Sequence, residues 1–147
     1  MWKLKATERI TRWRDFRKSL DQFSLEQAAI QTAEFWQGCP FTPYYLEADH
    51  PDTWPDPWTL LAENYYCDLA KALGIVYTIS LSGHGATANP ELHIYRDSQS
   101  RMMYHLAVFA DGKYVINLLD AQVVNIVSLK ETMKLQYRYT RQDLKIE

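Results

Sequence analysis

The chain has 147 residues, 47% of them hydrophobic and 23% charged, with a formal net charge of −2. That is enough for one domain with a sizeable core, 1–147, and the balance excludes wholesale disorder. No apolar run is long enough to cross a bilayer, and Met1-Trp2-Lys3-Leu4-Lys5 opens no apolar signal segment, so neither a membrane nor a secretion signal is expected.

The small net charge hides a segregation. Residues 3–18 carry seven Lys or Arg against Glu8 and Asp15, whereas residues 19–70 contain no Lys or Arg at all. Residues 1–23 therefore read as a basic N-terminal arm or helix. Its charges are expected to pair within the molecule or to dock on charged neighbours. One basic stretch beside an acidic majority is a weak footprint for nucleic acid, which is not expected as a partner.

In chain order, Ile10, Trp13, Phe16 and Leu20 recur at helical steps, so Arg9 to Leu20 is expected to be helical. Ser24 with Gln27 is a capping-box pattern leading into a second helix that Gly38 and Pro40 end. Residues 37–57 hold five prolines together with Tyr44, Tyr45 and Trp54. Repeated proline denies this loop regular hydrogen bonding. Its aromatics predict that it is packed down, and they make Tyr44, Tyr45 and Trp54 candidate partner-binding anchors. Asp56 and Pro57 then start a helix over 57–73, with Trp58, Leu61, Tyr65, Leu69 and Leu73 on one face and Gly74 as its stop. Ile75 to Leu81 is β-branched and aromatic and reads as a strand. Strands are further expected at 92–96, 103–109, 113–119 and 123–127, with an edge strand at 134–140 and one helical turn starting at Ser128. Helices first and strands after give an α+β fold with an antiparallel sheet packed on the helix 57–73.

The stretch 103–120 carries the most chemistry. Asp111-Gly112 is a strong hairpin turn between two β-rich runs. A two-residue loop pairs Phe109 with Tyr114 and His105 with Leu118, and puts His105 and Asp120 on one face as diagonal neighbours, roughly 7–8 Å apart at the backbone. An imidazole oriented by a carboxylate is two-thirds of a nucleophilic triad. The thiols available to complete it are Cys67 and Cys39, the only cysteines. Without an export signal both are expected to be free. Thr59 offers only a weak hydroxyl. The four histidines show no close metal-ligand spacing with the cysteines, and neither a metal nor a cofactor is expected.

The order of elements, with Ala72-Leu73-Gly74-Ile75-Val76-Tyr77 as a helix-to-strand step and His105 to Asp120 as a His–Asp hairpin, resembles the transglutaminase-like core of the papain-like cysteine hydrolases over roughly residues 55–127. The resemblance implies a catalytic triad of Cys67, His105 and Asp120. In that family the reactive Cys stands at a helix N-terminus. On the 57–73 helix, Cys67 lies about ten residues in, some 15 Å along the axis, where the backbone N–H groups are already bonded. The core is therefore expected to be degenerate, with Cys67 an inert buried thiol and His105–Asp120 a structural pair. The segment Trp54-Pro55-Asp56-Pro57-Trp58-Thr59-Leu60-Leu61, with Asn64-Tyr65-Tyr66-Cys67 and Trp13-Arg14-Asp15-Phe16, also looks like small proteins of tailed bacteriophages.

These readings lean away from an enzyme. They point to a non-catalytic binding or structural module of a bacteriophage virion or its assembly, located in the virion or host cytoplasm. Its partners would be other proteins, phage structural subunits first, and a homo-oligomer is compatible with them. The alternatives are a cysteine hydrolase or acyltransferase, and a phage-encoded inhibitor of a host protein with 37–57 as its contact surface.

Overall fold

The structure, a computed structural model, describes residues 1–146. Five helices precede five strands: α1 Ala6–Ser19, α2 Leu25–Gln37, α3 Pro57–Glu63, α4 Asp68–Ser80 and α5 Gly85–Ala88, then β1 Glu91–Asp97, β2 Met103–Phe109, β3 Tyr114–Ile116, β4 Val123–Val124 and β5 Met133–Tyr139. The strands form one antiparallel sheet in the order β4-β3-β2-β1-β5. The α+β class and the edge position of the last strand are as expected.

The hairpin has the expected register, with Phe109 opposite Tyr114 and Ala107 opposite Ile116. Ala110, Asp111 and Gly112 all take positive φ, and Lys113 N–H donates to the Ala110 carbonyl (3.2 Å), so the turn is made by the Asp-Gly pair together with Ala110. Leu92, Ile94, Ala107, Phe109 and Ile116 face the helices. Leu106, Val108 and Val115 form a smaller cluster on the opposite face, covered by Val124, Ile126 and Leu129.

Two expectations fail together. The segment 57–73 is not one helix, and 75–81 is not a strand. The chain breaks at Asn64, which takes the left-handed conformation (φ 59°), and a new helix starts at Asp68 and runs unbroken to Ser80. The apolar spacing that suggested one helix spans the break by coincidence. Leu61, Leu69 and Leu73 are fully buried, but Trp58 and Tyr65 are exposed. The strand reading failed because α4 is buried on every side: from Leu69 to Ser80 only Lys71 retains appreciable exposure. A helix buried all round has no polar face to reveal its period, and a β-branched run inside it reads as a strand. The strand expected at 123–127 likewise shortens to Val123–Val124, followed by a 3-10 turn at Ile126–Ser128.

Gly74 is a packing residue within α4, not a stop. It lies under the Trp36 ring, where a Cβ would overlap the indole. Thr78, one turn on, fixes that indole. Its Oγ1 accepts the indole N–H groups of both Trp13 and Trp36 (3.0 Å each) and donates to the Gly74 carbonyl (2.7 Å). One hydroxyl thus satisfies two buried donors and locks α1, α2 and α4 together.

Two residues of the basic N-terminal stretch, Arg9 and Arg17, are used inside the molecule, against carbonyls and aromatic rings, while Lys3, Lys5, Arg12, Arg14 and Lys18 stay exposed. Buried Arg9 donates from Nε to Leu61 O (2.7 Å) and from Nη2 to Ala62 O (3.0 Å), closing the C-terminal end of α3. Arg17 lies over the rings of Trp13 and Trp58, and burial pulls its guanidinium below the usual arginine range.

Gly74→Ala is expected to destabilise the protein by about 1–3 kcal/mol, the usual cost of overpacking a filled core. Trp36 can yield only by giving up its bond to Thr78. A denaturant midpoint that is unchanged or raised would show that the ring is free to move.

Candidate active site

The break between α3 and α4 decides what the thiol can do. Cys67 is the residue immediately before α4, with extended backbone (φ −77°, ψ 174°), and its carbonyl accepts the first helical bond, from Lys71 N–H (2.9 Å). Its side chain makes no capping hydrogen bond. Cys67 therefore stands at a helix N-terminus, which corrects the expected mid-helix position, while its burial is as expected. The free N–H groups of the first turn of a 13-residue helix surround this position, the setting in which a helix favours negative charge.

Several contacts hold the break open. Asn64 Nδ2 donates to Trp2 O (2.8 Å), and the Tyr66 hydroxyl donates to Leu60 O (3.1 Å). Tyr66 N–H donates to Pro40 O and Thr42 N–H to Tyr66 O, both at 3.0 Å, so Phe41 and Tyr66 form a parallel bridge. Tyr45, on the same loop, donates its hydroxyl to Tyr65 O (2.9 Å). Burial raises the phenols of Tyr45 and Tyr66 well above the usual tyrosine range, so both stay neutral donors.

His105 lies on β2, buried, facing α4. Its Nδ1 is 2.7 Å from Asp68 Oδ2. Asn117, just past β3, donates from Nδ2 to Asp68 Oδ1 (3.1 Å) and to His105 O (2.9 Å). The imidazole is thus oriented by the residue next to Cys67 in the chain, with the Asn117 amide bracing both ends of the contact. With Nδ1–H given to Asp68, the neutral ring keeps its lone pair on Nε2, the tautomer needed by a base that works through Nε2.

The expected partner of His105, Asp120, is not its partner in the structure. Strand pairing of β3 ends at Ile116, Asn117 turns to φ 80°, and Asp120 lies beyond it in an exposed turn with φ 44°. The diagonal contact required the ladder to continue to Asp120. Thr59 lies in the first turn of α3, exposed, with its N–H on Asp56 Oδ1 (2.8 Å). Of the aromatic loop, Trp54 is core, 1% exposed, with its indole N–H on Glu47 O (2.8 Å) and its ring edge-on to Tyr139. Tyr45 is half-buried, and Tyr44 remains exposed. The loop is packed down, as expected, but Trp54 is not free to anchor a partner.

Cys67 opens onto a small cleft of ≈160 Å³, which Gln37, Cys39, Phe41, Asp68 and Lys71 also line. Burial pushes the Cys39 thiol up to about 11, against a smaller opposing effect of Lys71. Cys39 is therefore protonated near neutral pH and is no nucleophile at rest.

Sequence reasoning missed Asp68 and Asn117. The signals were present: Asn64 is a residue that accepts left-handed φ, Tyr65-Tyr66 is β-prone, and an acidic residue favours the first turn of a helix beginning at 68.

The fold has known counterparts. No family model matches the chain, and no curated protein matches it. Among solved structures, calcium-bound LapG of Legionella pneumophila superposes with a TM-score of 0.75 at 11% identity, over 95% of this chain and 78% of that one. A second structure of the same protein gives 0.73 at 12% identity, over 92% and 76%, and an EGTA-treated one gives 0.72 at 12%, over 91% and 73%. The fold is transglutaminase-like, and at these identities the likeness is one of fold alone.

Asp68→Ala is expected to lower stability by about 1–3 kcal/mol, because it strands a buried imidazole nitrogen. Asp120→Asn, which keeps a residue that accepts the left-handed backbone there, is expected to change it by no more than about 0.5 kcal/mol, as for an exposed side chain without a specific role. Urea midpoints of the two variants, read at constant slope, check this. The reverse order would restore Asp120 as the partner of His105.

Proposed function

We propose that the chain is a cysteine hydrolase or acyltransferase with Cys67 as nucleophile, His105 as general base and acid, and Asp68 and Asn117 as the residues that orient the imidazole. The observation that carries this reading is the position of Cys67 before the first residue of α4, one step from the carboxylate that holds His105.

The chemistry follows from the parts. His105 takes the thiol proton, and the Cys67 sulfur attacks a carbonyl carbon of an amide, ester or thioester. The free N–H groups at the start of α4 are donors for the oxyanion that develops. His105 returns its proton to the leaving group, and the acyl group remains on sulfur as a thioester. Water completes a hydrolysis, and an amine completes a transfer. Asp68 stabilises the imidazolium formed on the way without itself taking the proton.

The second reading is a non-catalytic binding module, including the phage-particle role expected from the sequence. Phe41 and Tyr44 favour it: both rings are largely exposed, 76% and 65%, on the loop beside the cleft. The fold neighbours do not bear on a phage role.

The two readings separate on the reactivity of the thiol. Iodoacetamide at neutral pH, added to the folded protein and followed by peptide mass mapping, is expected to modify Cys67 well before Cys39. His105→Ala is expected to slow that labelling by about tenfold or more, since a positioned base typically contributes about 10²–10⁴. If Cys67 reacts only after unfolding, or at the parent's rate in the His105→Ala variant, the binding module is the better account.

A further inference from the structure

Both thiols of the chain open on one cleft. Cys39 follows α2, with its N–H on Trp36 O (3.2 Å). The segment after it runs parallel to the residues before Cys67, tied by the two backbone hydrogen bonds of the Phe41–Tyr66 bridge. Both sulfur-bearing residues line the ≈160 Å³ hollow, which they share with Lys71 and Asp68. Both are free thiols in the structure. Cys39 takes no part in the acyl-transfer scheme, yet its thiol lines the same hollow as that of Cys67.

We propose that Cys39 and Cys67 form a reversible disulfide across this cleft, making it a peroxide-responsive modification site. The oxidant is a hydroperoxide, small enough for a cleft of this size. The Cys67 sulfur attacks the peroxide oxygen, the O–O bond breaks, and Cys67 becomes a sulfenic acid with release of water. The Cys39 sulfur then attacks Cys67 sulfur. The S–O bond breaks, and the Cys39 proton leaves with the departing hydroxide as a second water. Two thiols are oxidised by two electrons, and one peroxide is reduced. An external dithiol reverses the step by exchange through a mixed disulfide. The division of roles follows from position. Cys67, at the helix N-terminus, is oxidised first, and Cys39, a protonated thiol half-buried on the loop, waits to resolve the sulfenic acid.

Bond formation stands on the shared cleft alone. Its consequence, that the oxidised protein has no nucleophile and regains it on reduction, rests on the acyl-transfer reading. The bond also guards Cys67, since a sulfenic acid with no second thiol is carried on to irreversible acids.

The test is hydrogen peroxide added to the folded full chain, followed by intact mass and by peptide mapping without reduction. The expected product is monomeric, lighter by two hydrogens, with a Cys39–Cys67 cross-linked peptide that dithiothreitol removes. Cys39→Ser, checked by circular dichroism for a native fold, is expected to form no internal cross-link and to gain two oxygens on Cys67. Over-oxidation of Cys67 in the parent at the rate of the variant, or a cross-link only between chains, would overturn the proposal. The parent measurement decides alone if the variant fails to fold. Iodoacetamide labelling on the same samples separates the two claims. An internal disulfide in a protein whose labelling ignores His105 sinks the enzyme and leaves the modification site. His105-dependent labelling with no disulfide does the reverse.

Discussion

The four residues between α3 and α4 are the constraint on which the site depends. Had the helix continued through Asn64, Cys67 would lie in mid-helix with its backbone bonded and its thiol surrounded by neighbours on the same element. The left-handed turn at Asn64, the bridged Tyr66 and the extended Cys67 instead place Cys67 at the start of a new helix. A break of this kind exposes carbonyls at one helix end and N–H groups at the other. The carbonyls of α3 are taken up by Arg9, and the peptide groups of Tyr66 by the loop residues Pro40 and Thr42. The N–H groups at the start of α4 receive no hydrogen bond from the Cys67 side chain.

That economy assigns a task to features that otherwise look unrelated. Two basic residues of α1 are drawn inward: Arg9 closes a helix end and Arg17 stacks on indoles. The proline-rich loop supplies a single strand-like bridge where a regular strand would be blocked by its prolines. The Trp-Thr-Trp node at Thr78 anchors the far half of α4, so the helix has one fixed end in the core and one end at the cleft. Support from the core behind fixes the backbone on which Cys67 and Asp68 stand.

The hairpin was legible in the sequence because its signals are local. Asp111-Gly112 dictates the turn, and the register of Phe109 on Tyr114 follows from it. The helix at 25–37 was legible for the same reason, with Ser24 Oγ accepting Gln27 N–H (3.2 Å) as its spacing predicts. What escaped was set by burial and by long-range contacts. The residues of α4 carry no polar face from which to read a period, and the break before them is held by Trp2, Pro40 and Leu60, none of which announces the contact locally. The His105 partner was misread for a related reason. The extrapolation assumed a strand to residue 120, whereas Asn117 leaves the ladder and its amide does the bracing.

The replacement of Asp120 by Asp68 changes the mechanics of the site as well as its membership. A carboxylate across a hairpin would tie His105 to the sheet alone, so Cys67 and His105 would sit on elements free to shift relative to each other. Asp68 follows Cys67 directly, one peptide unit of about 3.8 Å along the chain. The group that aims His105 is therefore fixed to the backbone that carries the sulfur. The bond from Asp68 to His105 also pins α4 to β2, so the same contact that orients the imidazole holds the helix start against the sheet. Asp68 remains half exposed while His105 is buried, so the pair is desolvated on the imidazole side only. The carboxylate retains water on its outer face, which moderates the cost of charge at the cleft while leaving its geometry fixed.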